Sequence, residues 1–288
     1  MNKYSELIKK ISAQLDLLSN YCSSSYEVLT KAEKYSLVSG GKHLRGLIVL
    51  KCAMLGGAEV DKVINFACAL EMIHTYSLVH DDLPEMDNDD FRRGVPTCHK
   101  KFGADIALLA GDALLTKAFD IVANDENYSS DIKIECIKIL ARACGEHGML
   151  AGQTIDKCSE NKQISYDELL ELHSRKTGDM FCAAVSLGCV LGGVDTATTQ
   201  NLLSYIKELG LAFQIKDDIL DVTSTVEILG KPINSDEKSN KSTFISLLGL
   251  EESTNLLNMK VETAKKYVSN IKDQFFIELA DFFVNRTK

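Results

Sequence analysis

Only three prolines, Pro84, Pro96 and Pro232, interrupt the chain of 288 residues, so long stretches can form unbroken helices. Apolar residues recur at spacings of three and four within 134–144 and again within 202–213, which is typical of amphipathic helices. The chain has no Asn-Gly or Asp-Gly pair and no sustained alternation of apolar and polar residues, the usual signals of β-hairpins. The sequence therefore predicts an all-α fold of roughly ten or more helices.

Composition excludes several classes of protein. The net charge of −9, from 41 acidic and 32 basic residues, offers no surface for a nucleic-acid backbone. Hydrophobic residues make up 45% of the chain, yet no apolar run reaches the roughly 18 residues of a membrane span. The 9 cysteines include no Cys-x-x-Cys pair, which favours a reducing, cytoplasmic location. Because no linker-like or repetitive stretch occurs, we expect a single domain over residues 1–288.

An aspartate-rich segment at 81–90 carries six acids within ten positions. Runs of charge usually form solvated surface. This run directly follows an apolar stretch at 63–79, and Arg92 and Arg93 come shortly after it. Its placement therefore favours a binding site over plain surface charge.

A second aspartate-rich segment at 214–221 has the same character. Asp217 and Asp221 are four residues apart, so on a helix their carboxylates share one face with Gln214. Like charges at this spacing destabilise an isolated helix, whereas a divalent cation between them would relieve the repulsion. Such oxygen ligands suit Mg²⁺, which keeps several waters and binds few carboxylates together with substrate phosphates. The two segments together predict a magnesium enzyme that acts on an organic diphosphate.

Basic and polar side chains that would balance phosphate charge occur at several points. Arg grips phosphate with two parallel hydrogen bonds, and Lys acts as a point charge. Two groups have simpler alternatives: the residues after Gly40 and Gly41 also suit an exposed loop, and His74 also suits a hydrogen-bonded core position. The candidates are Lys42, Arg45, His74, Arg92, Arg93, Lys176, Thr177, Lys231 and Lys241.

Four motifs occur in the order found in one known family. They are Asp-Asp-x-x-x-x-Asp at 81–87 with Arg-Arg-Gly at 92–94, Gly-Met-Leu-Ala-Gly-Gln at 148–153, His-Ser-Arg-Lys-Thr-Gly at 173–178 and Asp-Asp-x-x-Asp at 217–221. From about Leu37 to its C-terminal residues, the chain resembles the trans-prenyl diphosphate synthases. Within that family it is most similar to the bacterial farnesyl diphosphate synthases, or geranyltranstransferases.

The resemblance implies an isoprenoid synthase-like bundle of helices around a deep central cavity, with the aspartate segments facing each other at its mouth. It implies a prenyltransferase that joins isopentenyl diphosphate head-to-tail to dimethylallyl or geranyl diphosphate and releases pyrophosphate. The allylic C–O bond ionises with the help of Mg²⁺, the double bond of isopentenyl diphosphate attacks the cation, and a proton is lost. Three Mg²⁺ ions are implied, with Mn²⁺ as an alternative, and the chain is expected to form a homodimer.

Roles for individual residues also follow from the resemblance. The principal metal ligands are Asp81, Asp87 and Asp217, joined by Asp82, Asp218 and Asp221. The cations on the allylic diphosphate are Arg92, Lys176, Lys231 and Lys241. The groups on isopentenyl diphosphate are Lys42, Arg45, His74 and Arg93. The dipoles that stabilise the carbocation belong to Gln214 and Thr177.

Product length depends on the helix that leads into the first aspartate segment. Tyr76 lies five residues before Asp81, where a bulky ring would form a floor for the growing chain, and Ser77 beside it is small. The two extra residues Pro84 and Glu85 also resemble the bacterial farnesyl type. The sequence thus favours a C15 product, while Tyr76 as ordinary core packing remains an alternative.

The sequence departs from the family pattern at two positions. His43 stands where the family usually has Arg, and Gly46 where it usually has Pro, which puts the affinity for isopentenyl diphosphate in question.

Three rival functions remain as alternatives. A geranyl or geranylgeranyl diphosphate synthase would share the same motifs. A terpene cyclase is less favoured because Asp221 and Thr225 do not match the second metal motif of cyclases. A non-catalytic partner subunit is disfavoured because such a chain would have lost aspartates or cations.

Overall fold

The computed structural model describes residues 2–20, 24–224 and 241–286. Their regular structure is almost entirely helical, which confirms the prediction of an all-α fold. The first seven helices follow a 3₁₀ turn at Asn2–Tyr4 and are α1 (Ser5–Leu18), α2 (Glu27–Val38), α3 (Leu44–Leu55), α4 (Val60–Asp81), α5 (Cys98–Phe102), α6 (Ala104–Ala123) and α7 (Ser130–Cys144). The later helices are α8 (Met149–Ser159), α9 (Tyr166–His173), α10 (Asp179–Gly192), α11 (Thr196–Thr223), α12 (Phe244–Leu248), α13 (Leu250–Tyr267) and α14 (Phe275–Asn285). A π-helical turn, Ser174–Gly178, joins α9 to α10.

The described chain divides into two compact units. The N-terminal unit comprises the described residues of 2–138 and 187–193, and the C-terminal unit comprises those of 139–186 and 194–286. Each unit contains one of the two aspartate-rich segments. A single domain over residues 1–288 stays a prediction.

Helix α4 forms the centre of the N-terminal unit. More than half of its 22 residues are buried, so it is apolar nearly all round and packs against α3 and α6. Gly111 of α6 meets α4 at His80, where an added Cβ would lie 2.0 Å from the ring Nε2. The glycine therefore permits the close approach that fixes His80, the residue directly before the first aspartate segment.

A short β-hairpin follows the first aspartate segment and was not expected from the sequence. Strand β1 (Phe91–Arg92) pairs antiparallel with β2 (Val95–Pro96). The turn residues Arg93 and Gly94 have φ values of 54° and 80°. Two positive φ values match the turn that two-residue hairpins require, here with Arg-Gly in place of Asn-Gly.

Helix α11 organises the C-terminal unit and carries the second aspartate segment. It starts where the side chain of Asp195 accepts a hydrogen bond from the N–H of Thr198, and it continues unbroken for 28 residues. The helix packs against α13 and α14, where Tyr205 donates a 2.7 Å hydrogen bond to the carbonyl oxygen of Phe276. The helices predicted within 134–144 and 202–213 are thereby confirmed as parts of α7 and α11. Among the described helices, none combines the length and the apolar character needed to cross a membrane.

Candidate active site

The first aspartate segment begins where α4 ends. The helix stops at Asp81, and the chain then turns back so that the N–H of Asp87 donates a 2.9 Å hydrogen bond to the carbonyl oxygen of Asp81. Asn88, with φ of 50°, closes the turn through a bond to Leu83. Asp81 and Asp87 are six apart and cannot share a face of an ideal helix, but this turn brings their backbones together. The side chain of Asp81 is partly exposed and Asp87 is exposed.

Asp82 has a different role from its neighbour. Its carboxylate is almost completely buried and accepts hydrogen bonds from Nε of Arg92 at 2.8 and 2.9 Å, with Nη2 2.7 Å away. Burial alone would lower the pKa of Arg92, but the bonds and charge of Asp82 raise it above the usual range. The two-pronged contact holds the guanidinium in one orientation beside the aspartate segment.

Several cations of the N-terminal unit lie close together. Burial, followed by the charges of Arg45 and Arg93, lowers the pKa of His74 well below its ordinary value, so its ring is neutral near pH 7. Burial also lowers the pKa of Arg45 to about 10, although the charge of Glu71 opposes that shift. The cluster thus brings several guanidinium groups near His74, which suits an anion such as a diphosphate.

Glu71, which the sequence analysis did not select, is a buried acid next to this cluster. Its buried carboxylate lies 3.0 Å from Nδ1 of His43 and accepts a 2.8 Å bond from the N–H of Gly46. Burial alone would raise the pKa of Glu71, but the contacts with His43 and Gly46 and the charge of Arg45 lower it. A proline at position 46 has no N–H and would lose one of these bonds. The two departures from the family pattern thus share one buried partner.

The loop before α3 wraps around the guanidinium of Arg93. Nη1 of Arg93 donates a hydrogen bond to the carbonyl oxygen of Gly40. A Cβ added to Gly41, whose φ is 149°, would lie 3.0 Å from the same Nη1. Gly41 therefore permits this close approach, Gly40 has a positive φ of 89° that favours glycine, and Lys42 follows them directly.

The candidate chain-length residues lie on α4. Tyr76 is buried, with its ring edge-on to that of His80 at 5.7 Å between centroids. Ser77 is partly exposed and donates a 2.8 Å hydrogen bond to the carbonyl oxygen of His74. Their roles in product length stay predictions.

The second aspartate segment lies near the end of α11. Asp217 and Asp221 are both within the helix, as the four-residue spacing predicted. Asp217 has a side chain 44% exposed and forms a 2.7 Å ion pair with Nη2 of Arg286. Arg286 is buried, stacks on the ring of Phe213 at 3.8 Å and also donates to the carbonyl oxygen of Phe213 at 2.6 Å. Asp218 is buried and accepts a 2.7 Å bond from the N–H of Phe244.

Lys176 and Lys241 converge on a carboxylate that the sequence analysis also missed. Oδ2 of Asp156, on α8, lies 2.7 Å from Nζ of Lys176 and 3.1 Å from Nζ of Lys241. Burial alone would raise the pKa of Asp156, but the two ammonium groups lower it. Gly152, one turn earlier on α8, lets the chain approach closely, because an added Cβ would lie 2.1 Å from the backbone N of Lys176. The two contacts span 20 and 85 residues of sequence, so local spacing does not indicate them.

The π-helical turn, Ser174–Gly178, displays two of the predicted groups. Lys176 is partly exposed and Thr177 is buried. π-turns are rare and are frequently found at functional sites. His173, directly before the turn, lies with Nδ1 3.2 Å from Nε2 of Gln214, the other predicted dipole. Lys231 lies outside the described residues.

The accessible aspartates suit a Mg²⁺ ion that binds together with substrate and water better than a metal held by protein ligands alone. Within 2–20, 24–224 and 241–286, no group of three or more His, Cys, Asp or Glu side chains is arranged to hold a metal ion. Mg²⁺ commonly binds through one or two carboxylates together with water and substrate phosphate, so accessible single aspartates suffice. Asp81, Asp87 and Asp217 meet that condition, whereas Asp82 and Asp218 are engaged in buried bonds.

Comparison with known proteins gives one consistent result. The family model described as polyprenyl synthetase matches residues 26–276. The farnesyl diphosphate synthase of Geobacillus stearothermophilus is 45% identical over 244 residues, which cover 84% of this chain and 82% of that protein. The geranylgeranyl diphosphate synthase of Cyanophora paradoxa is 44% identical, with 88% and 86% covered.

Solved structures agree with the sequence matches. The geranyltransferase of Helicobacter pylori, complexed with magnesium and isoprenyl diphosphate, has a TM-score of 0.86 at 31% identity, with 99% of this chain and 96% of that chain covered. The FPP/GFPP synthase of Zymomonas mobilis, in its apo structure, has a TM-score of 0.87 at 31% identity, with 98% and 99% covered.

Proposed function

We propose that this chain, which belongs to the polyprenyl synthetase family and is a prenyltransferase, condenses isopentenyl diphosphate with dimethylallyl or geranyl diphosphate. The products are farnesyl diphosphate and pyrophosphate. Two groups of cations carry the proposal. The N-terminal unit holds Arg45 and Arg93 around a neutral His74, and the C-terminal unit holds Lys176 and Lys241 on Asp156. A reaction with two diphosphate substrates needs two such groups, whereas a cyclase with one substrate needs one.

Metal binding is proposed for the accessible aspartates. Asp81, Asp87 and Asp217 would hold Mg²⁺, with three ions as the proposed number and Asp221 as a further candidate. Bound Mg²⁺ would stabilise the charge that develops on the departing diphosphate. Asp217 would exchange its ion pair with Arg286 for the metal.

The side chains of the protein would do the remaining work. Arg92, Lys176 and Lys241 would neutralise the allylic diphosphate, and because each is already held by a carboxylate, little reorganisation is needed on binding. Lys42, Arg45, His74 and Arg93 would orient isopentenyl diphosphate. The dipoles of Gln214 and Thr177 would face the positive charge of the allylic cation. We assign Lys231 to the allylic diphosphate on the family resemblance alone.

One assay tests the reaction. Purified protein is incubated with Mg²⁺, isopentenyl diphosphate and geranyl diphosphate, and the products are separated by chromatography. We expect farnesyl diphosphate, and we expect its formation to stop on addition of a chelator and to resume with excess Mg²⁺. Absence of turnover, or turnover that chelation leaves unchanged, would contradict the proposal.

Product length needs a separate test, because the geranylgeranyl synthase of Cyanophora paradoxa is nearly as similar as the farnesyl synthases. A buried Tyr76 ring, one turn below the end of α4, supports a floor that stops growth at C15. Tyr76→Ala should shift product from C15 towards C20 and longer with little loss of total turnover. Ser77→Ala, a change of one oxygen at the neighbouring position, is the control and should keep the parent product. Unchanged products in Tyr76→Ala would leave Tyr76 as core packing.

Assembly and location are also part of the proposal. We propose that the chain forms a homodimer, on the family resemblance alone. Light scattering should give about twice the chain mass of 31.8 kDa. The eight cysteines among the described residues are free thiols, which supports a cytoplasmic location.

A further inference from the structure

Asp218 differs sharply from the aspartate next to it. Asp217 is substantially exposed and pairs with Arg286, while Asp218 is 6% exposed and its Oδ2 accepts a 2.7 Å bond from the backbone N–H of Phe244. Successive residues of an α-helix point about 100° apart, so the pair cannot serve one ligand equally. The inward carboxylate meets the first residue of α12, where a negative charge is favourable.

The side chain of Phe244 is held by a second contact. The ring of His173 stacks on the ring of Phe244, with centroids 5.3 Å apart and planes inclined by 23°. His173 is itself held by Gln214, whose Nε2 is 3.2 Å from Nδ1. Gln214 and Asp218 are four apart on α11 and therefore share one face of the helix. That face fixes Phe244 through both its backbone and its ring.

Anchoring Phe244 restricts the position of Lys241. The two residues are three positions apart in the sequence, a reach of about 10 Å at most. Thr243, between them, caps the start of α12 with a capping box, in which the side chains of Thr243 and Ser246 each accept from the other's backbone N–H, at 3.1 and 2.9 Å. Nζ of Lys241 then lies 3.1 Å from Asp156, which also holds Lys176. Two ammonium groups on one carboxylate repel each other, so their arrangement depends on a rigid backbone behind each.

We propose that Asp218 and His173 are positioning residues that fix the start of α12 and so hold Lys241 beside Lys176 for the allylic diphosphate. Asp218 thereby acts through the backbone of Phe244 and not as a metal ligand. The inference rests on the proposed function for the identity of the ligand, but the anchoring of α12 stands on the contacts alone.

Two substitutions at one position separate anchoring from metal binding. Asp218→Ala removes the acceptor, whereas Asp218→Asn keeps a side-chain oxygen and removes the charge. For each variant, the KM for the allylic diphosphate, the KM for isopentenyl diphosphate and the Mg²⁺ concentration at half-maximal rate are measured. We expect Asp218→Ala to raise the allylic KM about 30-fold with little change in the KM for isopentenyl diphosphate. Asp218→Asn should recover most of that loss, and both should keep the Mg²⁺ dependence of the parent.

Hydrogen exchange gives a reading that needs no activity. Peptides covering residues 241–249 should exchange about 10-fold faster in Asp218→Ala and at the parent rate in Asp218→Asn. Phe244→Leu keeps the backbone N–H and loses the stack on His173, so it should show a smaller rise in both exchange and allylic KM.

Three results would decide against the inference or the function separately. Equal impairment of Asp218→Asn and Asp218→Ala, with a raised Mg²⁺ requirement, would identify Asp218 as a ligand and overturn the inference. Unchanged exchange in both Asp218→Ala and Phe244→Leu would also overturn it. A parent protein without turnover would contradict the proposed function instead, and the exchange rates would still test the anchor.

Discussion

The two aspartate segments have similar sequences and are built differently. The first follows the end of α4, where the chain folds back so that Asp87 reaches Asp81. The second lies within α11, which continues unbroken past Asp221. In both, the first aspartate of the Asp-Asp pair is accessible and the second is buried. Adjacent acids of one motif thus differ in exposure: the outer carboxylate is accessible to solvent, and the inner one is buried against other parts of the protein.

The two inner aspartates, Asp82 and Asp218, bind different kinds of partner. Asp82 neutralises the side chain of Arg92, while Asp218 accepts from the backbone of Phe244. Removing Asp82 would leave the guanidinium of Arg92 with the half-exposed Asp89, 3.7 Å away, as a weaker counter-ion, whereas removing Asp218 would leave one buried N–H without this acceptor. The first loss is larger because the desolvation of a charge exceeds that of an amide.

The largest expected effect is a loss of kcat on replacing either outer aspartate, Asp81 or Asp217. Comparing the two variants tests whether these residues are equivalent. Asp81→Ala and Asp217→Ala should each lower kcat about 1000-fold, or about 4 kcal/mol in activation free energy, because each would remove a magnesium ligand from the transition state. Steady-state rates at saturating substrates and Mg²⁺ measure it. Glu85→Gln, which removes an exposed acid from the first segment, is the matched control and should behave like the parent. A large loss in only one of the two alanine variants would show that the segments are not equivalent.

The next effect compares the inner aspartates by stability. Asp82→Ala should lower the free energy of unfolding by about 3 kcal/mol, since the guanidinium of Arg92 loses its buried two-pronged partner and keeps a looser contact with Asp89. Asp218→Ala should cost about 1–2 kcal/mol, the penalty for one unsatisfied amide. Urea denaturation followed by circular dichroism measures both. Asp89→Ala, whose half-exposed carboxylate is 3.7 Å from Arg92, should cost well under 1 kcal/mol. The reverse order of the two main variants would refute the distinction.

A third effect concerns the protonation of His173, which contacts Gln214 of the second aspartate segment. Burial lowers the pKa of His173 from 6.5 to about 4, with Asp156 opposing and Lys176 adding to the shift. Between these values the unfolded chain binds a proton that the folded chain does not, so stability falls as the pH is lowered. The loss should be about 2 kcal/mol between pH 7 and pH 5. Urea midpoints at the two pH values measure it.

A substitution isolates this residue from other titrating groups. His173→Gln should start from a lower stability at pH 7 but lose less on acidification than the parent does. His147→Gln, at a position with 71% of its side chain exposed, should follow the parent. Equal acid sensitivity in His173→Gln and the parent would show that another group is responsible.

Sequence patterns captured local features and missed long-range ones. The helical face shared by Asp217 and Asp221 was predicted because the spacing alone defines it. The contacts of Asp156 with Lys176 and Lys241 span 20 and 85 residues of sequence, and no periodicity reports such pairs. Glu71 was missed for the same reason, although it lies one turn before His74 on α4. The hairpin was missed because Arg93-Gly94 is an uncommon turn pair.

The number of residues in the π-helical turn before α10 affects the direction in which Lys176 projects. A π-turn holds one residue more than the α-helical turn it replaces, which shifts the phase of all following side chains by about 100°. Deleting Gly178 would remove the extra residue and should let α9 and α10 join as one α-helix. Lys176 would then point to a different side of the helix. The extra residue of this turn, as well as the identity of Lys176, therefore sets the direction in which the lysine projects relative to α10.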